Sequence, residues 1–346
     1  MTTPNPNLPH NKDRRHQRGA ALLILMLLVM LGLITLFTFR MDRKGPELNA
    51  DRQTALALAQ AKEALLGYAA KDSNHPGSLP CPDANDDGTS DISDYAGPNC
   101  IAPVGRLPWR LLRLPDLRDG SGERLWYAVS PVFNANSGAK LNSTYFGQIT
   151  LEDASGVITN NASASTGVIA VVIAPGGVLV RQGATSPQNR TCIVGTTCNA
   201  QLICNSPFAS VPKCNPINYL DLTASEDNQS FTPGATDGFI AGIIKDASGN
   251  VVVNDRIIPI TTRDLFSVVT FRMAKDLAGL ISPPYPSSFS SIDTSSSAIW
   301  DPNNWTSAVA SYVPNMTGTS FNLKFQNCAI IYTITGPTVT RDRPSC

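Results

Sequence analysis

The amino-acid sequence predicts an α+β protein: a long N-terminal helix, first membrane-spanning and then amphipathic, packed on an antiparallel β-sheet domain with long loops. Three observations predict it. Gly19 to Phe39 is an uninterrupted apolar run of 21 residues. The stretch from Glu47 to Lys71 is dominated by Ala, Leu, Gln, Lys and Glu, with apolar residues at helical spacing. Beyond residue 72, runs of β-branched and aromatic residues alternate with Gly, Asn, Ser and Pro, the punctuation of strands and turns.

At 1.5 Å per residue, the apolar run makes a helix of about 30 Å, the thickness of a bilayer core. Lys12, Arg14, Arg15 and Arg18 precede it, and the positive-inside rule puts that side in the cytoplasm. In the next helix Leu48, Leu56, Leu58, Leu65, Leu66 and Tyr68 form the apolar stripe. Gly45-Pro46 interrupts the two, because proline lacks a backbone donor and disfavours helix at the residue before it. Residues 72–105 read as loop. Strands are expected at 125–129, 168–180, 239–244 and 251–260, with a hairpin turn at 246–250. A helix capped by Thr262-Arg263-Asp264 follows to Leu280, burying Leu265, Val268, Val269, Met273 and Leu277. Residues 282–320 read as Ser-, Pro- and Asn-rich loop, before a last strand from Asn322 to Thr335.

The 346 residues carry 27 Lys+Arg against 27 Asp+Glu. This balance argues against a nucleic-acid partner, which selects a clustered basic excess. The three histidines, His10, His16 and His75, leave little material for histidine-based catalysis or multi-histidine metal sites. No Gly-x-Ser-x-Gly, His-Glu-x-x-His, P-loop or dinucleotide fingerprint occurs, and the expectation is a non-enzymatic protein. Between Gly105 and Tyr127, five arginines, three acids and two tryptophans suit either an interaction surface or an ion-pair ladder. Asp116 and Glu123 are the pair there that a carboxylate-based hydrolase would use.

Eight cysteines, at 81, 100, 192, 198, 204, 214, 328 and 346, all follow the apolar run. In an oxidising compartment an even set reads as up to four disulfides. The simplest pairing joins Cys81 to Cys100, Cys192 to Cys198, Cys204 to Cys214 and Cys328 to Cys346, one of 105 connectivities.

Between the first two cysteines lies Asp83-Ala84-Asn85-Asp86-Asp87-Gly88-Thr89-Ser90-Asp91-Ile92-Ser93-Asp94. With Asp83 as position one, it matches calcium-loop spacing, with aspartate in place of glutamate at twelve. Asp83, Asn85, Asp87, the Thr89 carbonyl, Asp91 and Asp94 are the candidate Ca²⁺ ligands. Alternating oxygen donors around a glycine turn suit a hard cation, and five crowded aspartates call for a counter-charge. A solvated Asx-rich turn has the same composition. Pro80, Pro82 and Pro98 exclude the flanking helices of an EF-hand.

The run Arg14-Arg15-His16-Gln17-Arg18-Gly19, followed by Ala20-Ala21-Leu22-Leu23-Ile24-Leu25-Met26-Leu27-Leu28, resembles the N-termini of type IV pilins and type II secretion pseudopilins. The resemblance covers about thirty residues. It implies a class III signal peptide cut by prepilin peptidase between Gly19 and Ala20, with methylation of the new N-terminus at Ala20. Most members carry glutamate at mature position five, where this chain has Ile24; the departure resembles K-type tip pseudopilins and some minor pilins. Runs such as Leu107-Pro108-Trp109-Arg110 are similar to those of large prepilin-like proteins of Gram-negative bacteria.

The implied organisation is a leader (1–19), a transmembrane helix (20–39), a kinked periplasmic helix (40–71) and a periplasmic α+β domain (72–346). Removing the leader leaves 23 Lys+Arg against 26 Asp+Glu, a net charge of −3. The function so implied is a minor or tip structural subunit of a pilus or pseudopilus. Its partners would be other pilin-like subunits, prepilin peptidase and inner-membrane lipid. A bitopic inner-membrane protein with a periplasmic binding or adhesion domain is the alternative.

Overall fold

The structure, a computed structural model, describes residues 17–42, 45–90, 94–162, 164–190, 215–223 and 226–346. Two helices open the chain, α1 (Gln17–Asp42) and α2 (Gly45–Lys71). Short strands follow: β1 (Tyr95–Ala96), β2 (Asn99–Cys100), β3 (Val104–Arg106), β4 (Trp126–Val129), β5 (Thr150–Glu152), β6 (Ile158–Asn160) and β7 (Val168–Ala174). Next come β8 (Gly238–Ile240), β9 (Ile244–Lys245), β10 (Val251–Val253), β11 (Arg256–Thr261) and α3 (Thr262–Leu280). The chain ends with β12 (Val309–Pro314), β13 (Phe321–Phe325), β14 (Ile331–Thr335) and β15 (Thr338–Arg341).

The expected α+β class with antiparallel sheets holds at that level, but the expected long membrane-spanning N-terminal helix does not. Among the described residues no helix is long and apolar enough to cross a membrane. The N-terminal helical stretch is two helices rather than one. Pro46, which brings no backbone donor to a helix, lies in α2 next to that division. The chain divides into two compact units, Met1–Asp51 and Arg52–Cys346, with the boundary inside α2.

Within the second unit, the central sheet has the order β11-β7-β4-β3, antiparallel throughout. All seven residues of β7 are buried, because the sheet is covered on both faces and successive side chains point to opposite sides. Ala170, Val172 and Ala174, with Tyr127 and Val129 of β4, join a core with α2 and α3. Val171 and Ile173, with Trp126 and Ala128, face a second core built from Ile149, Leu151, Tyr219, Leu220, Phe231 and Phe239. That second layer is the sheet β6-β5-β8, in which β5 and β8 run parallel.

Helix α2 buries Ala57, Leu58, Ala61, Leu65, Leu66 and Ala69. Their spacing of three and four places them on one face, and the small alanines allow close approach to the sheet. Helix α3 starts with a capping box in which Thr261 Oγ1 accepts from Asp264 N and the Asp264 carboxylate accepts from Thr261 N. The cap is therefore Thr261, one residue before the expected one. The four-stranded meander β12-β13-β14-β15 packs Phe321, Leu323, Phe325, Tyr332 and Ile334 into the α3 core. Trp300 and Trp305, from the stretch expected to be loop, are fully buried against Phe325.

Candidate functional site

The loop that carries the calcium-like spacing is pinned at both ends. Cys81 and Cys100 form a disulfide, and Asp83 exchanges backbone hydrogen bonds with Arg106 of β3 (2.9 and 2.8 Å). Asp83 is fully buried and folds the loop around its carboxylate. Oδ1 accepts from Asn85 N (3.1 Å) and Asp87 N (3.3 Å), and Oδ2 accepts from Gly88 N (2.7 Å). Asp87 repeats the pattern one step on, accepting from Thr89 N (2.7 Å) and Thr89 Oγ1 (2.6 Å) on Oδ1 and from Asn85 Nδ2 (3.0 Å) on Oδ2. Asp94, also fully buried, accepts from Ala84 N at 2.8 Å and closes the ring.

Gly88 answers two constraints. Its φ of +87° favours glycine, and a Cβ there would meet the Trp109 indole at 2.7 and 2.8 Å. The Gly88 carbonyl accepts from Arg110 N, which ties the loop to the arginine-tryptophan block.

Burial pushes the Asp83 carboxyl up to about 7, opposed by the Gly88 N–H and reinforced by Asp86, Asp87 and Asp94. Asp86 turns the other way, to Arg124 Nη1 at 3.0 Å and Arg106 Nε at 3.9 Å. The Arg106 guanidinium is itself sandwiched between Trp126 and Tyr219, 4.0 and 4.3 Å from the ring centres. The loop is thus a negative, donor-rich ring with a cationic rim on one side.

In donor chemistry a hard divalent ion would use Asp83 Oδ2 and Asp87 Oδ2, which each accept one hydrogen bond and offer a second lone pair, whereas Asp83 Oδ1 and Asp87 Oδ1 already accept two; a cation would relieve the repulsion at Asp83. Asp91 lies outside the described residues. Among the described residues no group of three His, Cys, Asp or Glu side chains converges as a metal cage.

The second expected disulfide present is Cys328–Cys346. Cys192, Cys198, Cys204 and Cys214 lie outside the described residues. Gly19 and Ala20 fall at the start of α1, whose Ile24 is 61% exposed. Asp116 and Glu123 do not form a carboxylate pair. Asp116 binds Arg124 (2.9 Å) and Arg118 (2.8 Å), and Glu123 lies 3.4 Å from Arg190. Burial raises Asp116, but its two arginines outweigh that and hold it below the ordinary carboxylate range. This block is a ladder of ion pairs.

Sequence reasoning missed two pairs of buried acids, Asp221 with Asp255 and Glu152 with Glu226. Each pair is assembled from distant segments, and no local spacing announces it. The fold and the loop define a helix-on-sheet α+β protein with disulfide-closed loops. No family model, characterised protein or solved structure matches the chain.

Proposed function

We propose that the chain is a non-enzymatic structural subunit of a type IV pilus or type II secretion pseudopilus, in a minor or tip position. One observation carries this reading. Every described side chain of α1, from Leu22 to Thr35, is exposed, and Leu23, Leu25, Met26, Met30 and Leu33 are each 63% exposed or more. Covering such a side chain contributes roughly 1.5–3 kcal/mol. A helix that is apolar all round needs cover all round, and the helices of neighbouring subunits in a filament core provide it. The Arg14–Leu28 resemblance supports the same reading. The disulfides Cys81–Cys100 and Cys328–Cys346 suit a domain that works in the periplasm or on an extracellular filament.

Ile24 in place of glutamate favours a terminal position. A repeating subunit would set an unpaired N-terminal charge beside each neighbour's apolar helix, at a cost of a few kcal/mol every time. At a tip that cost arises once. Within this reading Asp83, Asn85, Asp87, Thr89, Asp91 and Asp94 hold Ca²⁺, which supplies charge neutralisation and order to the loop.

The test is N-terminal sequencing of the protein from cells with active prepilin peptidase, together with its abundance in sheared filaments. A mature N-terminus at Ala20 and an abundance far below the major subunit are expected. An intact Met1 leader and absence from filaments would overturn the reading and favour a separate binding or adhesion module. Near-equal abundance would overturn the tip position.

A further inference from the structure

The layer β6-β5-β8, the stretches 221–223 and 226–228 and the residue before β11 supply four buried carboxyl groups that the loop and the ion-pair ladder do not use. Asp221 and Asp255 are fully buried, and Glu152 and Glu226 are 9% and 7% exposed. They lie as pairs: Asp221 N donates to Asp255 Oδ2 at 2.8 Å, which sets the two aspartates side by side, and burial and the Glu226 charge raise the Glu152 carboxyl. Ionised carboxylates are acceptors only, so two buried neighbours of this kind favour holding one proton between them.

The donors around the aspartate pair leave one of its oxygens without a partner. Asp221 Oδ1 accepts from Gln188 Nε2 (3.0 Å) and Oδ2 from Asn254 N (2.8 Å). Asp255 Oδ2 accepts from Asp221 N and Asn228 Nδ2, both at 2.8 Å. Asp255 Oδ1 is buried with no donor facing it. Ionised, that oxygen would be an unsatisfied charge beside a like charge. Protonated, it donates to Asp221 and every oxygen of the pair is satisfied.

The pair also holds the layer together. Asn228, fixed by Asp255, accepts from Ile240 N (2.8 Å) and donates to Ile240 O (2.9 Å), and Glu226 Oε2 accepts from Gly238 N (2.6 Å). The edge of β8 is thereby capped by side chains whose positions depend on the carboxyl pairs.

Among the charged groups around them, Arg190 attracts Asp221 but spends its donors on Asn218 O, Gly176 O and Gln188 Oε1, and also faces Glu123. Arg181 is engaged with Asp227. Arg256 follows Asp255 at the start of β11, and Asp153 adds negative charge beside Glu152.

We propose that this layer is a pH-sensitive element, fastened by a proton that Asp255 Oδ1 shares with Asp221 and loosened when that proton leaves. Loss of the proton leaves two adjacent buried carboxylates, and the 226–228 stretch releases the edge of β8. Burial and the neighbouring Asp221 charge raise the Asp255 carboxyl well above its ordinary value, in accord with this geometry. The sign is that of a raised acid: the folded layer keeps a proton that the open form gives up. From the ordinary carboxylate range up to the pair's own titration, opening becomes about tenfold more favourable per pH unit for one shared proton.

Hydrogen exchange of the full chain, expressed as protection factors from pH 5 to pH 8, tests this. Protection of peptides covering 226–228 and 238–240 should fall with pH, while β4 and β7 stay protected. Asp255→Asn, whose amide donates to Asp221 at every pH, should flatten the profile. It should also remove from the infrared spectrum at neutral pH a carbonyl stretch of a protonated carboxylic acid. If that variant fails to fold, the wild-type profile decides. A flat wild-type profile, a variant as pH-dependent as wild type, or protection that follows chelator rather than pH would overturn the proposal.

Discussion

Lys62 on α2 and Asp264 on α3 meet at 2.8 Å, and Lys62 Nζ also donates to the Pro259 carbonyl at 3.0 Å. Asp264 simultaneously closes the capping box of α3. About two turns further along, Arg272 donates to the carbonyls of Ala70 and Asp72 at the C-terminus of α2. The two helices are therefore tied at two levels, and each tie also satisfies backbone groups at a helix end.

This arrangement predicts an acid limb of unfolding. Burial raises Asp264, but Lys62 and the N–H and hydroxyl of Thr261 outweigh it and hold the carboxyl below its ordinary value. A depressed acid contributes stability that is present above the unfolded pKa, about 3.9, and is lost as pH falls through the lower folded value. Lys62→Ala should lower stability by about 1 kcal/mol at pH 7. The variant and wild-type melting temperatures should converge below about pH 3. A deficit that persists unchanged in acid would show that Lys62 acts through packing instead.

The glycines of two turns separate backbone strain from steric overlap. Gly156 (φ +78°) has open space where a Cβ would go, whereas Gly88 (φ +87°) has the Trp109 indole at 2.7 Å. Gly156→Ala should cost about 1 kcal/mol from its left-handed backbone alone. Gly88→Ala should cost about 2–3 kcal/mol more, the scale of an overpacked site. Urea unfolding of both variants is the measurement, and equal costs would mean that Trp109 moves aside freely.

Much of the second unit was legible locally. The apolar run from Val168 announced a strand, although it ends at Ala174 and not at Val180, and Asp246 to Asn250 does form the turn between β9 and β10, with Asp246 N donating to Asn250 O. The loop's Asx chemistry at Asp83 and Asp87 was readable because their partners lie within five residues. The single strand read from Asn322 to Thr335 is instead two strands, turned at Asn327 (φ +57°), a conformation that asparagine tolerates without a glycine signal. Strand β12 escaped notice because Ser and Pro surround it and its anchors, Trp300 and Trp305, are fixed by distant Phe325. The same limit hid the role of Arg106 and Arg124 at Asp86, and the pairing of Asp221 with Asp255. Spacing reveals neighbours along the chain, whereas these contacts depend on the sheet.

The Cys81–Cys100 bridge closes a loop whose ends lie 19 residues apart. Joining them in the unfolded chain removes about 3 kcal/mol of loop-closure entropy. A Cys81→Ser, Cys100→Ser double variant should lose about 2–4 kcal/mol, and under non-reducing denaturation it should label no more thiols than wild type. Unchanged stability would mean that the loop's ring of aspartate hydrogen bonds already closes it unaided.

Calcium provides the sharpest test of the loop itself. If the ring around Asp83 and Asp87 takes Ca²⁺, the ion binds the folded form and not the unfolded chain. It then stabilises by mass action, by about 2.7 kcal/mol when free calcium exceeds the dissociation constant a hundredfold. Magnesium should stabilise less, because it holds its waters and demands a tight octahedral shell that this extended donor set does not impose. Asp87→Ala removes the acceptor for Thr89 N and Thr89 Oγ1, so it should lower stability even without calcium and abolish the calcium response. Asp86→Asn, which weakens the contacts to Arg106 and Arg124 but spares the inward donors, should lower stability while leaving the calcium response in place. Thermal melts of the full chain with calcium, magnesium and chelator distinguish these outcomes. Coincident wild-type melts in all three would identify the loop as an Asx-rich turn held by its own backbone and the flanking arginines.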